Sequence, residues 1–193
     1  CELCPQHTWS YERGSNAIRL CLCDEGYTGT EGNCSACQIG EYKDTPGEHN
    51  CTRCTLPTGY SPRGSDDVLD CVCSLGYQGI TDYDCRACPA GFYKDFPGQG
   101  ECLLCPDVNS FSAPASPGLA SCLCNPGFTG PGGGPCAMCA PGTYKDVAGS
   151  DACSVCPDAN HVSDSASDNV TDCRCDKGYT GKDGTPCTAC VIG

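Results

Sequence analysis

Polar and apolar positions alternate along this chain only over stretches too short for a long strand. Glycine or proline interrupts every run before a helical stripe could extend beyond a turn or so. The pattern predicts two-stranded hairpins and loops throughout, with little helix. No apolar stretch reaches the roughly 18 residues that a bilayer span requires, and the first residues lack the basic-then-apolar pattern of a secretory leader. The expectation is of mature, soluble material.

Cysteine supplies the regularity that hydrophobicity does not. The 24 cysteines follow one ruler: Cys-x2-Cys, sixteen residues, Cys-x-Cys, ten or eleven residues, Cys-x2-Cys, thirteen residues, and then the pattern again. Copies begin at Cys1, Cys51, Cys102 and Cys153, and the sixteen-residue gap is the same in all four. The chain is therefore four copies of one small module.

The residues between the cysteines repeat as well. After each Cys-x-Cys comes Gly-aromatic-x-Gly, at Gly26-Tyr27-Thr28-Gly29, Gly76-Tyr77-Gln78-Gly79, Gly127-Phe128-Thr129-Gly130 and Gly178-Tyr179-Thr180-Gly181. Glycine there supplies positive φ in a hairpin turn, and the ring is expected to form a mini-core over the disulfides. A second signature, Cys-x-x-Gly-x-Tyr-Lys-Asp-x-x-Gly, runs through Gly40, Tyr42, Lys43, Asp44 and Gly47 and recurs at Gly91 to Gly98 and Gly142 to Gly149. It reads as a turn with a solvated Lys and Asp pair, the alternative being a repeated contact stripe.

With 24 Cys, 25 Gly and 15 Pro in 193 residues, few aliphatic side chains remain to fill a core. Such a composition marks a disulfide scaffold, in which covalent loops substitute for buried apolar area. Closing a loop of about 15 residues contributes roughly 3 kcal/mol in the chain-entropy model, so three bridges per module exceed what one or two buried tyrosines supply. Reduction is expected to unfold the chain. An even cysteine count in a regular framework places the protein outside the cell. The formal charge of -13 disfavours nucleic acid and anionic membranes as partners and reads as a solubility feature.

From Cys88 to Gly130 the chain reads Cys-Pro-Ala-Gly-Phe-Tyr-Lys, then Cys102-Leu-Leu-Cys105-Pro, a Ser/Pro-rich loop, Cys122-Leu-Cys124 and Gly127-Phe128-Thr129-Gly130. This stretch resembles the EGF-like half-module of the ephrin-receptor-type cysteine-rich repeat, and the likeness covers essentially the whole chain. Long arrays of such repeats are similar to those of surface and flagellar-hair (mastigoneme) proteins of algae and other protists, and to those of animal receptor ectodomains. The resemblance implies a small disulfide-rich fold of tandem EGF-like modules, built from short β-hairpins and loops and forming an elongated rod. It says less about function.

The resemblance also implies that modules end at Cys34, Cys85, Cys136 and Cys187. Residues 1–36 are then a partial module, 37–87, 88–138 and 139–189 are complete ones, and 190–193 begin the next. Val191-Ile192-Gly193 matches Gln38-Ile39-Gly40, so the chain reads as an excerpt of a longer array. Six cysteines allow fifteen pairings and sequence alone selects none. Similarity to EGF modules implies Cys37 with Cys54, Cys51 with Cys71 and Cys73 with Cys85. The same rule gives Cys88 with Cys105, Cys102 with Cys122, Cys124 with Cys136, Cys139 with Cys156, Cys153 with Cys173 and Cys175 with Cys187. In the partial module it gives Cys1 with Cys21 and Cys23 with Cys34. The alternative, resembling the first loop of tumour-necrosis-factor receptors, joins Cys37 to Cys51 and Cys54 to Cys71; both share the Cys73 to Cys85 bridge. Cysteines two apart project to the same side of an ideal strand, so a twist or bulge at each Cys-x-Cys must separate their partners.

No cofactor is expected. The Cys-x2-Cys pairs have a spacing used by structural zinc and redox sites, but a Cys-x-Cys intervenes at fixed distance and no histidine repeats. His7, His49 and His161 read as exposed loop residues, and no hydrolase triad has an evident partner set. The residues before Cys37, Cys88 and Cys139 lack the acidic and amide set of calcium-binding EGF modules. Asp82, Asp84, Asp164, Asp168 and Asp172 read as solvated loop acids.

Three Asn-x-Ser/Thr sequons mark glycosylation candidates at Asn33, Asn50 and Asn169. Asn169 ranks first, because the other two enclose a cysteine. Loops at Thr55 to Ser65, Ser110 to Ser121 and Ser163 to Thr171 suit O-linked sugar. Arg13-Gly14-Ser15 and Arg63-Gly64-Ser65 read as turns. The expected function is that of an extracellular structural protein, a glycosylated filament or stalk of the mastigoneme-shaft kind at the cell or flagellar surface. Modules joined by two residues, as in Cys34-Ser-Ala-Cys37, leave little freedom. Its partners would be its own kind or other extracellular structural proteins. The alternative is the ligand-binding ectodomain of a receptor or adhesion protein.

Overall fold

The computed structural model describes residues 3–11, 17–54, 58–79 and 84–191. Among these described residues there are eleven two-stranded antiparallel ladders. Most consist of two residue pairs, and the longest joins Tyr27–Thr30 to Asn33–Ala36. The other regular elements are three-residue 3-10 turns at Ile18–Leu20, Val68–Asp70, Leu119–Ser121 and Val170–Asp172. No helix among the described residues is long and apolar enough to cross a membrane.

Each 3-10 turn delivers the chain into a Cys-x-Cys. The first cysteine closes the turn, as in Cys21 N–H to the Ile18 carbonyl at 2.9 Å and Cys71 N–H to the Val68 carbonyl at 3.0 Å. Asp67 and Asn169 start two of these turns by accepting from the amides of Leu69 and Thr171. The second cysteine ends a two-residue strand, Leu22–Cys23 against Thr8–Trp9 and Val72–Cys73 against Gly59–Tyr60. The expected separation within each Cys-x-Cys is thus achieved by a turn-to-strand switch.

The bridges run in sequential order. Cys37 joins Cys51, Cys54 joins Cys71 and Cys73 joins Cys85. The next copies repeat this as Cys88 with Cys102, Cys105 with Cys122 and Cys124 with Cys136, then Cys139 with Cys153, Cys156 with Cys173 and Cys175 with Cys187. The crossed pairing implied by likeness to EGF modules, Cys37 with Cys54 and Cys51 with Cys71, is therefore replaced by the alternative in every copy. In the partial module Cys21 bonds Cys4, not Cys1, which lies outside the described residues, and Cys23 bonds Cys34. Strand geometry supplies the reason. Thr52–Arg53 pairs with Glu41–Tyr42, and Cys51 and Cys54 flank that strand three residues apart, which turns them to opposite faces. Cys51 looks back to Cys37 and Cys54 forward to Cys71.

Among the described residues the buried apolar set consists of cysteines, twelve of them. The other buried side chains are polar: Lys43, Lys94, Lys145, six serines and His161. The aromatic mini-core expected from the sequence is not what fills the modules. Tyr27, Tyr77 and Phe128 are half-buried and Tyr179 is exposed. The chain divides into two compact units, Cys1–Ala87 with Phe96–Glu101, and Cys88–Asp95 with Cys102–Gly193.

Candidate functional site: a buried lysine joint

The Tyr-Lys-Asp triplet divides between solvent and interior. Asp44, Asp95 and Asp146 are exposed, whereas Lys43, Lys94 and Lys145 are 1%, 0% and 5% exposed. The solvated-pair reading of the sequence is overturned for the lysines. A lysine is seldom this buried, because its ammonium has three donors and loses hydration unless each finds an acceptor.

In the first unit the acceptors come from the preceding module and from the lysine's own turn. The Lys43 Nζ donates to the carbonyl of Tyr27 at 2.6 Å and of Gly47 at 2.6 Å, and at 3.4 Å to that of Cys23. In the second unit the Lys145 Nζ donates to the Phe128 carbonyl at 2.8 Å and to that of Gly149. Burial lowers the pKa of Lys43, an effect that the nearby carboxylates of Asp24 and Glu25 partly offset. Burial lowers that of Lys94 as well.

Backbone bonds close the rest of the joint. Gly26 N–H donates to the Lys43 carbonyl at 2.9 Å, Cys37 N–H to the Gly26 carbonyl at 2.8 Å, and Gly47 N–H to the Cys23 carbonyl at 2.8 Å. The second unit repeats all three, through Gly127 with Lys145, Cys139 with Gly127 and Gly149 with Cys124, at 2.8, 2.8 and 2.9 Å. Thr28 and Thr129, within the Gly-aromatic-x-Gly signature, add hydroxyl bonds to the carbonyls of His49 and Asp151. The glycine at the head of that signature is required on two counts. Gly26 has φ 74° and a Cβ there would lie 2.3 Å from the Gly64 carbonyl oxygen; Gly127 has φ 80° and its Cβ would lie 2.4 Å from that of Ala166.

Buried serines brace the lysine's strand. Ser61, Ser112 and Ser163 hydroxyls donate to the carbonyls of Glu41, Phe92 and Thr143, at 2.8, 2.8 and 3.0 Å. The carbonyls of Ser65, Ser116 and Ser167 accept from the amides of Lys43, Lys94 and Lys145, each at 3.1 Å. The sequence signal for them was present, a Ser-x-x-x-Ser at the 51-residue period, although serines in a polar loop ordinarily face water. Gly64, within Arg63-Gly64-Ser65, adopts φ 79° in a turn, and Arg13-Gly14 falls outside the described residues.

The later modules carry a further device. The carboxylate of Asp107 accepts from the amides of Asn109 and Cys136, at 2.8 and 2.9 Å. Asp158 does the same with Asn160 and Cys187, at 2.8 and 3.0 Å. These amide bonds hold both carboxyls below the usual carboxylate range. His161, expected to be exposed, is buried: Nδ1 accepts from Asp158 N–H at 3.1 Å and Nε2–H donates to the Thr185 carbonyl at 2.9 Å. Those two bonds place the ring hydrogen on Nε2. His7 and His49 are exposed, with the His7 ring stacked on Tyr27 at 3.9 Å between centroids.

His161 also lies near Cys175 and Cys187, the metal-compatible grouping found among the described residues. Both sulfurs belong to one disulfide, so they are not thiolate ligands. The loop acids have local employment. Asp84 pairs with Arg86 and Asp164 with Arg174, and Asp172 accepts from the amides of Asp168 and Asn169. Asp82 is outside the described residues.

Dense disulfides, short hairpins and a strict repeat make this chain a tandem array of small cysteine-rich modules of the EGF-like class, with sequential bridges in place of the crossed EGF pairing. Residues 76–122 and 127–173 match the family described as tyrosine-protein kinase ephrin type A/B receptor-like. The chain is also similar to laminin subunit gamma-2 of Homo sapiens, 38% identical over 71 residues, which is 35% of this chain and 6% of the relative. With laminin subunit gamma-2 of Equus caballus it is 32% identical over 116 residues, 57% of this chain and 10% of the relative. The chain thus spans a tenth or less of the length of these relatives. Both likenesses are to repeats of extracellular or cell-surface proteins, structural or receptor-like in kind.

Proposed function

We propose that the chain is a segment of a long extracellular structural array, the shaft of a glycosylated filament or stalk of the mastigoneme type, and that it performs no catalysis. The observation that carries the reading is the buried ammonium joint. Within each unit the link between consecutive modules is a pocket of backbone carbonyls filled by a lysine, which leaves the connection little play. That suits a spacing or load-transmitting element, where a receptor needs chiefly one module shaped for a ligand. Likeness to laminin subunit gamma-2 supports the structural side of the class.

The sugar belongs to the same proposal. Asn33, Asn50 and Asn169 are all exposed. Asn169 Oδ1 accepts both the amide and the hydroxyl of Thr171, so the two sequon residues face each other on the surface. Its partners in the assembly are its own kind or other extracellular structural proteins, at the cell or flagellar surface, with no nucleic acid and no insertion of this segment in a membrane. Electron microscopy of the native material tests the reading: ordered fibres of beaded repeats are expected. Dispersed single molecules that capture a soluble ligand would instead establish the ectodomain alternative.

A further inference from the structure

We infer that the outward face of the module at residues 88–138, centred on the cross-strand pair Phe111 and Leu123, is a lateral contact surface for the same face of a second copy of this chain. The inference rests on the structural-array reading and names the place where two such chains meet. Its first support is a break in the charge pattern. Residues 37–87 carry eight acidic and four basic side chains, and residues 139–189 carry the same numbers, a formal -4 each. Residues 88–138 carry four charged side chains in all: Lys94, Asp95, Glu101 and Asp107. Lys94 is buried and the Asp107 carboxylate is taken up by the amides of Asn109 and Cys136, so Asp95 and Glu101 are the charges left on the outside.

The apolar surface changes in the opposite sense. Among the described residues, eight large apolar side chains face solvent in residues 88–138 against four in each neighbouring module, so this module has exchanged charge for surface that gains by leaving water. Phe111 is 49% and Leu123 37% exposed. The two are partners in one ladder, so their side chains stand together on the side opposite the buried Cys124. The matching pair of the preceding module, Tyr60 and Val72, is half-buried, and that of the following module is Val162 and Arg174, the arginine bound to Asp164. The scaffold itself is unaltered, with Cys88 to Cys102, Cys105 to Cys122 and Cys124 to Cys136 spaced as in the other copies. Only what the module shows to its surroundings is different.

Charge selects the occupant. A basic partner would be drawn to the modules of formal charge -4 on either side of this one in the sequence, not to the module that lacks charge. A second copy is repelled by those modules and meets least repulsion here, where an apolar face can pair with itself about a two-fold axis. A module of this size holds about a quarter of the 11671 Å² of chain surface, so one face of it reaches no further than the low end of stable interfaces, about 800 Å² per partner. Contact between single chains is therefore weak, and repetition along an array multiplies it.

The test is a concentration series, from about 0.05 to 2 mM, followed by nuclear magnetic resonance on the 193-residue chain with the exposed thiol of Cys190 alkylated. The amide resonances of Phe111 and Leu123 are expected to move with a dissociation constant on the order of 0.1–1 mM, while those of Tyr60, Val72, Val162 and Arg174 stay in place. Raising salt from about 0.02 to 0.5 M should tighten the association at least about threefold, because it screens repulsion between the acidic modules. Phe111→Glu should abolish it and Val162→Glu, the same change at the matching place, should leave it intact. Leu123→Gln, a milder change at the same ladder, should weaken it at least about fivefold, with disulfide mapping as the check on folding. No concentration dependence at high salt, beside ordered beaded fibres in the native material, would overturn the contact face and leave the array reading standing. The same silence beside dispersed molecules that capture a soluble ligand would bring down both. Association that survives Phe111→Glu, or that weakens with salt, would overturn the inference, and so would resonances of Phe111 and Leu123 that respond to added polylysine and not to added chain.

Discussion

Replacing Lys43 by methionine removes the ammonium and keeps most of the side-chain volume, so it isolates the polar part of the joint. Two short bonds, to Tyr27 and Gly47 at 2.6 Å, and a longer one to Cys23 are lost. Hydrogen bonds to a charged group contribute about 1.5–3 kcal/mol each, so the short pair represents roughly 3–6 kcal/mol. Against this, methionine no longer carries the cost of burying a cation that has no direct ion-pair partner among the described residues. Carbonyls left without a donor restore part of the deficit, and a net loss of about 2–4 kcal/mol in joint stability follows. The three bridges of each module survive the change, so the joint should open while the modules stay folded. Native-state amide exchange reads this directly at Gly26 and Gly47, whose N–H groups bond across the joint to the carbonyls of Lys43 and Cys23. Their exchange should accelerate by about 30-fold to several hundred-fold, while Cys71, bonded within its own 3-10 turn, changes little. Unaltered exchange at Gly26 and Gly47 would refute the reasoning, since the carbonyl pocket would then be held by the backbone alone.

Burial shields amines, so an amine-reactive ester applied to the folded chain should label Lys177 and Lys182, both exposed, and spare Lys43, Lys94 and Lys145, as peptide mass mapping will show. Because the folded pKa of Lys43 and Lys94 lies below the usual 10.5, the unfolded chain binds more protons between those values. The contribution of these residues to stability should therefore rise with pH across that window, measurable as the denaturant midpoint with the disulfides intact. Asp107 and Asp158 act with the opposite charge: their folded pKa lies below 3.8, so their contribution is present above that value and disappears as pH falls through the folded one. The amide resonances of Cys136 and Cys187 should move together in that acid range. Gly127→Ala must overcome both a left-handed φ and a contact at 2.4 Å and should loosen its joint strongly. Gly178→Ala meets only the backbone cost of about 1–2 kcal/mol, a difference visible in thermal unfolding.

Cysteine spacing alone determined the repeat, its length, the oxidised scaffold and the scarcity of regular structure, because bridges and glycine turns act over a dozen or so residues and leave their signature in that same window. The Cys73 to Cys85 bridge, common to both pairings weighed from the sequence, is of this kind. The choice between crossed and sequential bridges was not, since it turns on which face of a two-residue strand Cys51 and Cys54 take, and cysteine is the same letter on either face. The joint lay further out of reach. Three identical Tyr-Lys-Asp triplets signalled a constraint, but a lysine in a polar loop ordinarily faces water, and the groups that hold Lys43 are carbonyls of residues as far back as Cys23. Every residue carries a carbonyl, so an acceptor pocket made of them has no sequence signature. Only the approach of one folded module to the next assembled it.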